Sequence, residues 1–395
     1  MPPRKKSESE RFKGPTKYAE YLAARAVVSL LQRLPIGLAY RLGRGIGWLA
    51  WKTMKRRRAT VRKNLEIVNS WMDERAEGGD CVKAEGGDLR PERFQSDKGI
   101  QSPPTQVSGF RFQPSGVVSG CSGSRWDRSC HSLTRARNRS QVSPELAAQV
   151  REVFQRAGAN LFAGFTFARM SPQQADKHIH IEGLDQLKVA LAKGKGAIIL
   201  LAHMGPWEAL AQLPGLAQKH GIDAPFGAIY RKFNNAYLDA WFRRQREASG
   251  TRLFGSRYKF YAPVDFLRAG GMLGVLADQR ASGGERVDYF GVRTHVTPLP
   301  GLLHLRSKAP LFALSISTEG CCQWQLRIHA LSQPDVEDTA NARQIVAQAT
   351  ACTMKTVLAE SPLDGFWFTD RFKDVKAGID HEKQRWIGGK HQNER

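Results

Sequence analysis

The sequence has no long hydrophobic run and no regular cysteine framework. Between residues 18 and 51 the longest charge-free runs are seven residues, far short of the roughly 20 apolar residues that a bilayer-spanning helix needs. The polar, basic residues 1–17 are not followed by the apolar core and cleavage site of a signal peptide. The six cysteines include no C-x-x-C pair. We therefore expect reduced, cytosol-facing thiols and no structural metal.

Acidic residues are scarce relative to basic ones. The 395 residues contain 60 Lys and Arg against 37 Asp and Glu, a net charge of +23, which implies an anionic partner: nucleic acid, an anionic membrane leaflet or an acidic protein. Residues 1–72 hold 17 Lys and Arg against four acids, a net of +13. Because this charge precedes an apolar helical region and does not alternate with aromatic residues on a sheet, nucleic acid is the least favoured partner.

The N-terminal apolar stretches predict helices that lie at a membrane surface. Residues 18–34 and 36–51 are mostly apolar but carry four arginines, so an interfacial helical pair fits better than a membrane span. The cluster Lys55–Arg58, followed by Arg62 and Lys63, is typical of a contact with anionic lipids. The alternative is a solvated basic helix packed on the core.

Residues 73–143 differ in composition from the rest of the chain. Glycine and serine fill 20 of these 71 positions, and Ala-Glu-Gly-Gly-Asp occurs at both 76–80 and 84–88. Such a segment buries too little apolar surface to offset its ordering entropy, which predicts a disordered insertion. The predicted organisation is a basic tail with membrane-associated helices (1–72), the low-complexity insertion (73–143), an α/β domain (144–373) and a polar tail (374–395).

The pattern of residues 144–373 predicts an α/β fold with a central, mostly parallel or mixed sheet flanked by helices. Residues 197–202 are wholly apolar, as in a strand buried on both faces. Gly205-Pro206 then begins a predicted helix over 207–220, kinked at Pro214. Further strands are predicted at 179–181, 225–230, 272–277, 287–290, 311–316 and 323–330, with helices at 146–169, 184–192, 234–249, 299–307 and 339–360.

Three predicted strands end in polar side chains: His203, Arg231 and Asp278. Parallel strands bring their carboxyl ends to one edge, where α/β sheets bind ligands. Glu208 follows His203 by five residues, and a carboxylate beside an imidazole fixes its tautomer, as in a general base. With no Gly-x-Ser-x-Gly motif and no cysteine nearby, the histidine is expected to activate a substrate hydroxyl. The alternatives are a structural histidine packed at the sheet edge and structural ion pairs.

Six segments of the sequence form an ordered set. They are Arg56-Arg57-Arg58 through Asn64-Leu65, the H-x4-D/E motif His203 through Glu208, Ile229-Tyr230-Arg231 with Asn234-Asn235, Ala277-Asp278-Gln279, Asp288-Tyr289-Phe290-Gly291 through Thr297-Pro298, and Trp367 through Lys373. With this set the chain resembles the lipid A biosynthesis late acyltransferases of the lauroyl and myristoyl type, which are related to the glycerol-phosphate acyltransferases. The resemblance covers residues 18–72 and 144–373. The insertion and the N-terminal arginines depart from that pattern.

The resemblance implies residue roles for an acyl transfer. His203 is then the general base and Glu208 its orienting carboxylate. Arg231, or the helix start at 206–208, stabilises the oxyanion, and Asp278 holds Arg231 or a substrate group. No metal or bound cofactor is implied.

The resemblance also implies a donor, an acceptor and a location. The acyl group comes from an acyl carrier protein thioester and goes to a hydroxyl of an anionic membrane glycolipid, a lipid A precursor. The protein lies on the cytoplasmic face of the bacterial inner membrane, peripheral or monotopic, without nucleic acid. The alternatives are acylation of another membrane lipid, such as an ornithine lipid or a glycosylated phospholipid, and a catalytically dead basic membrane-binding protein.

Overall fold

The computed structural model describes residues 12–77, 143–255, 260–334, 336 and 340–373. The predictions made for the tails at 1–11 and 374–395, and for the insertion between residues 78 and 142, lie outside the described residues.

The described chain has a mixed α/β architecture built on a seven-stranded, mostly parallel sheet. The strand order is β1-β9-β8-β2-β5-β3-β4, and only the β8–β9 pair is antiparallel. All five residues of β2 are buried, which confirms the prediction of a strand covered on both faces. The strands are β1 Ile179–Glu182, β2 Ala197–Leu201, β3 Phe226–Ile229, β4 Thr251–Phe254, β5 Met272–Leu276, β6 Glu285–Tyr289, β7 Val292–Val296, β8 Leu311–Gly320 and β9 Gln323–Ala330.

The prediction that residues 287–290 join the central sheet is wrong. Residues 287–289 belong to β6, which pairs with β7 in a separate antiparallel hairpin. The two residues between these strands, Phe290 and Gly291, have φ of 55° and 73°, and a two-residue turn with both φ positive favours a tight hairpin. The edge strand β4 was not predicted from the sequence.

Helices cover the sheet. The predicted helix over 207–220 is in fact a 3₁₀ turn, Trp207–Gln212, followed by a separate α-helix. Pro214 therefore lies in the first turn of that helix, where proline is tolerated, and does not kink its middle. The helices are α1 Pro15–Leu31, α2 Ile36–Thr53, α3 Lys55–Glu77, α4 Pro144–Phe167, α5 Pro172–Asp176, α6 Leu184–Ala192, α7 Leu213–Lys219, α8 Ala236–Ala248, α9 Tyr261–Arg268, α10 Leu299–Ser307 and α11 Ala342–Glu360, with a second 3₁₀ turn at Pro362–Asp364.

The N-terminal helices pack directly on the α/β unit. Helices α2 and α4 approach so closely that a Cβ built on Gly43 would lie 2.3 Å from the carbonyl oxygen of Gly158. Arg44 of α2 binds both carboxylate oxygens of Glu152 on α4 at 2.9 Å. Helix α3 holds the C-terminal segment, since the buried Asn64 side chain donates to the carbonyl oxygens of Trp367 and Thr369.

Helices α1 and α2 carry exposed apolar side chains. Neither these nor any other helix of the described ranges combines the length and apolar character needed to cross a membrane. The exposed apolar residues of the two helices and of the residue that follows α2 are Tyr18, Leu22, Val27, Leu30, Leu38, Leu42, Ile46, Trp48, Leu49 and Met54.

Candidate active site

Strand register brings His203 and Asp278 together. Strands β2 and β5 are adjacent and parallel, with Leu201 paired to Leu276. His203 and Asp278 each follow by two residues, so the two side chains leave the same edge of the sheet side by side. The expectation that strand ends at 203 and 278 lie close together is thus met in the structure.

The two side chains are directly hydrogen-bonded. His203 Nδ1 lies 2.7 Å from Asp278 Oδ1, and the other carboxylate oxygen accepts from Gln279 Nε2 at 2.9 Å. Asp278 is buried, whereas about a quarter of the His203 side chain is exposed. An ionised carboxylate only accepts, so Nδ1 carries the proton and Nε2 keeps its lone pair. Nε2 has no hydrogen-bond partner among the described residues.

Electrostatics around the pair favour a charged imidazolium. Burial acts to lower the pKa of His203, but the charge and hydrogen bond of Asp278 outweigh it, with a further contribution from Glu208, and the pKa is raised above its usual value. Burial acts to raise the pKa of Asp278, but the interaction with His203 outweighs it and the pKa is lowered. The carboxylate therefore stabilises the proton that a catalytic histidine acquires.

The predicted partnership of Glu208 with His203 is corrected by the geometry. Glu208 lies in the 3₁₀ turn after the strand, and both its carboxylate oxygens accept from Arg246 Nη2 of α8, at 2.9 and 3.1 Å. His203 takes its carboxylate from the neighbouring strand instead. Glu208 is near enough to raise the pKa of His203 through its charge, but it is not the hydrogen-bond partner of the imidazole.

Arg231 is separate from the His203–Asp278 pair. It is exposed on the loop after β3, and among the described residues it has no recorded hydrogen bond or ion pair. Of the two roles predicted for Asp278, pairing with Arg231 is not seen in the structure, where the carboxylate oxygens accept from His203 and Gln279. The other role, holding a substrate group, stays a prediction. The helix start offers few donors to an oxyanion: Pro206 has no N–H, and that of Trp207 already donates to the carbonyl oxygen of Gly205.

Sequence reasoning missed Arg371 as a site residue. Its side chain is 2% exposed, its Cζ lies 4.0 Å from the centre of the Tyr289 ring, and its guanidinium has no hydrogen-bond partner among the described residues. Burial and the His203–Asp278 interaction have the larger effects on the pKa values of these two residues. The positive charge of Arg371 has a smaller effect and lowers the pKa of both His203 and Asp278. The signal available in the sequence was its place in the last matching segment.

The C-terminal segment also supports the histidine. The N–H of Phe366 donates to the carbonyl oxygen of His203 at 2.8 Å, and the rings of Phe366 and Trp207 pack beside the imidazole. Gly205 makes the turn after His203 with φ of 57°, and a Cβ there would lie 2.7 Å from Ile316 Cγ2. The position of His203 is thus set by backbone contacts as well as by Asp278.

Together the fold and site define an α/β enzyme with an imidazole–carboxylate pair at the carboxyl edge of its sheet. Nε2 of His203, which has no hydrogen-bond partner among the described residues, is suited to take a proton from a bound group. In the described ranges no three His, Cys, Asp or Glu side chains are arranged to hold a metal ion.

The chain belongs to the bacterial lipid A biosynthesis acyltransferase family, whose sequence profile it matches over residues 5–76 and 134–374. This confirms the resemblance seen in the sequence, and the chain is an acyltransferase by family.

Curated relatives are also acyltransferases. The phosphatidylinositol mannoside acyltransferase of Mycolicibacterium smegmatis (strain ATCC 700084 / mc(2)155) is 24% identical over 238 residues, which cover 58% of this chain and 75% of that protein. The proteins of the same name from Mycobacterium tuberculosis strains CDC 1551 / Oshkosh and H37Rv are 28% identical over 189 residues, 47% of this chain. The chain spans 57% of the length of these two relatives.

Proposed function

We propose that this protein transfers a fatty acyl group from an acyl carrier protein thioester to a hydroxyl of a membrane glycolipid. The observation that carries the proposal is the His203–Asp278 pair, with Nε2 of His203 unpaired among the described residues and about a quarter of the side chain exposed. Membership of the acyltransferase family supports the reaction type.

The mechanism follows from the tautomer that Asp278 imposes. His203 Nε2 removes the proton of the acceptor hydroxyl as its oxygen attacks the thioester carbonyl. The tetrahedral intermediate collapses, the C–S bond breaks, and the imidazolium returns the proton to the departing thiolate. Asp278 stabilises the imidazolium between these steps. The new ester and the free thiol of the carrier protein balance the reaction, which needs no cofactor.

Two other side chains complete the proposed machinery. Arg231, exposed on the loop after β3, is the candidate that neutralises the oxyanion once substrate is bound. Glu208 acts as a positioning residue, because it anchors Arg246 of α8 beside the strand ends and adds negative charge near His203.

Membrane association is proposed to be peripheral, on the cytoplasmic face of a bacterial inner membrane. The exposed apolar side chains of α1 and α2 and the cations that begin α3 support binding to an anionic surface, since each basic residue near it contributes about 1 kcal/mol. The same positive surface suits the acidic acyl carrier protein.

Two acceptor classes follow from the comparisons. The family description favours a lipid A precursor, and the names of the relatives favour a glycosylated phospholipid of the phosphatidylinositol mannoside kind. Both are glycolipids with a hydroxyl to acylate, so the donor chemistry and the His203 step are the same.

The test supplies the purified full chain with acyl carrier protein thioester and each acceptor in turn, and detects the acylated product by mass spectrometry. Acyl coenzyme A serves as the competing donor. His203→Ala should lower the transfer rate by roughly 10² to 10⁴, as expected for loss of a general base, with the fold unchanged by circular dichroism. A folded His203→Ala protein that transfers at the wild-type rate would overturn the mechanism.

A further inference from the structure

A pocket of about 330 Å³ opens where the end of α2 meets the start of α3 and the first turns of α4. Its lining includes Trp51, Lys55, Arg58 and Arg62, with Ala147 and Val150 on the α4 side. Three of these residues are cations, and among the described residues no acidic side chain lines the pocket.

The protein leaves these cations largely unsatisfied. Lys55 has no recorded ion pair or hydrogen bond with a described residue. Of the five N–H donors of the Arg58 guanidinium, one is used, donating to the carbonyl oxygen of Trp51 at 3.1 Å. The nearest carboxylate to Arg62 is exposed Glu66, at 3.7 Å, and such surface pairs stabilise little. Lys55, Arg58 and Arg62 recur at i, i+3 and i+7 on one face of α3, where like charges repel each other, so an entering anion relieves that repulsion.

The start of α3 adds to the positive field. Its first turn contains no acidic residue, so the partial positive charge at the helix N-terminus is uncompensated by the side chains that usually occupy this position. Arginine also presents paired N–H groups that match phosphate oxygens. A phosphate is therefore the anion that the pocket suits best.

The apolar surroundings distinguish a lipid phosphate from a free one. Trp51 and Val150 form part of the pocket wall, and the exposed side chain of Met54 lies on the α2–α3 link between Trp51 and the cations of α3. A lipid would place its phosphate among the cations and its acyl chains on this apolar surface. Inorganic phosphate would leave that surface in water.

We infer that this pocket binds the phosphate of an anionic membrane lipid. The inference rests on the proposed membrane association and deepens it, from general attraction to a charged surface to a saturable headgroup site beside the helices that face the membrane.

The test titrates dihexanoyl phosphatidylglycerol, kept below its micelle concentration, into the full-length protein. The pocket variant is Arg58→Gln/Arg62→Gln. The matched control is Lys52→Gln/Arg56→Gln, which removes the same charge from the same surface but from outside the pocket lining. The pocket variant should bind the lipid about tenfold or more weakly than the control, a difference of about 1.4 kcal/mol. Equal weakening in the two variants would mean diffuse attraction and would overturn the inference.

Three further measurements test the identity of the ligand and the fold of the variants. Dihexanoyl phosphatidylcholine and inorganic phosphate, at matched concentrations, should bind more weakly than phosphatidylglycerol; equal binding of either one contradicts the assignment to an anionic lipid. Arg58→Lys/Arg62→Lys keeps the charge and should recover part of the affinity. If it binds as weakly as the glutamine variant, Lys55→Gln tests the site with both guanidinium groups intact, and wild-type lipid binding by that variant contradicts the inference.

These measurements contain no acyl donor. His203→Ala should therefore bind the lipid as the wild type does. Loss of transfer with intact lipid binding counts against the proposed function alone, and intact transfer without saturable lipid binding counts against the pocket alone.

Discussion

At the scale of single residues, the proton-transfer chemistry depends on which groups surround the His203 imidazole. Asp278 is hydrogen-bonded to it, Glu208 acts on it through its charge alone, and the positive charge of Arg371 opposes both. The pKa of His203 is therefore set by two carboxylates against one guanidinium and by burial. Replacing each of these groups in turn should shift the pH–rate profile in a direction that follows from the sign of the charge removed.

We expect Asp278→Asn to lower kcat by roughly 10² to 10⁴, the range for losing general-base catalysis, because an asparagine amide that donates to Nδ1 leaves the proton on Nε2. Burial lowers the pKa of His203 and the Asp278 charge raises it. A base acts when neutral, so the acid limb of kcat/KM should move to lower pH in this variant. The pH–rate profile of purified protein measures both effects.

Glu208→Gln is the matched comparison, since it removes the same charge without removing the hydrogen bond to His203. Its kcat should fall less than that of Asp278→Asn. Its unfolding free energy should fall by about 1–3 kcal/mol, because Arg246 loses its partner while partly buried. Combined with His203→Ala, Asp278→Asn should add almost nothing to the loss. Full additivity in that double variant contradicts the pairing.

Arg371→Met should shift the acid limb in the opposite direction. The guanidinium is buried beside the Tyr289 ring. Burial, Asp278 and Glu208 have larger effects on the pKa of His203, and the positive charge of Arg371 lowers that pKa. Without it the imidazole stays protonated to higher pH, so kcat/KM should rise only at higher pH than in the wild type. Arg371→Lys keeps the charge and should restore the wild-type profile. An unshifted limb in a folded Arg371→Met protein means that the arginine is only structural.

At the scale of secondary-structure elements, α3 joins the N-terminal helices to the sheet edge that carries His203. Arg57 donates to the carbonyl oxygen of Phe368, Lys63 to that of Phe372, and Asn64 to that of Trp367. The segment held in this way carries Phe366, bonded to His203, and Arg371, buried near Asp278. A basic helix start that sequence analysis assigned to lipid contact therefore also fixes part of the site.

The glycines of α2 provide a test of this packing. A Cβ on Gly43 would lie 2.3 Å from the carbonyl oxygen of Gly158, whereas a Cβ on Gly45 of the same helix meets nothing within 4 Å. Gly45→Ala should stabilise the protein by about 0.5–1 kcal/mol through helix propensity. Gly43→Ala should destabilise it, since α2 and α4 must separate. Urea unfolding measures both, and stabilisation by Gly43→Ala would show that the helices do not pack in this way.

The elements that were predicted well are those whose burial can be inferred from the pattern of apolar residues within the element itself. The wholly apolar β2 could only be a strand or helix buried all round, and its length and the following Gly-Pro favoured the strand. The hydrogen-bond partner of His203 cannot be predicted in this way, because it depends on which strand lies beside β2. Asp278 is distant in sequence and is brought in by β2–β5 register, whereas Glu208 was preferred for its nearness along the chain.

The remaining misses have the same origin. Residues 287–290 have a strand pattern, but only the turn at Phe290-Gly291 and the pairing with β7 decide that they form a separate hairpin. Arg371 follows the predicted elements in a short irregular segment, and its burial comes from packing against Tyr289 and the hairpin. Such a contact leaves no periodic pattern in the sequence from which it could be predicted.

At the scale of the whole molecule, the chain divides into parts that match the family and one part that does not. The profile matches residues 5–76 and 134–374 and leaves 77–133 unmatched, within the segment that composition marked as an insertion. Residues 78–133 contain seven basic and six acidic side chains, a net charge of +1. The strong positive charge of the protein, and the membrane attraction proposed from it, therefore lie almost entirely elsewhere.

Deleting residues 78–133 should leave folding, acyl transfer and lipid binding close to those of the full chain. Every contact described above between α3, α4, the sheet and the C-terminal segment is made by residues outside the deletion, and residues 134–142 remain to connect α3 to α4. A larger deletion, 78–142, also removes nine residues that the family profile covers and should be tolerated less well, because Glu77 and Ser143 must then be joined directly. Thermal unfolding, transfer rate and vesicle binding of the two deletions decide the matter. A shorter deletion that fails to fold, or that folds and loses transfer, would show that this segment contributes to the core or to the site.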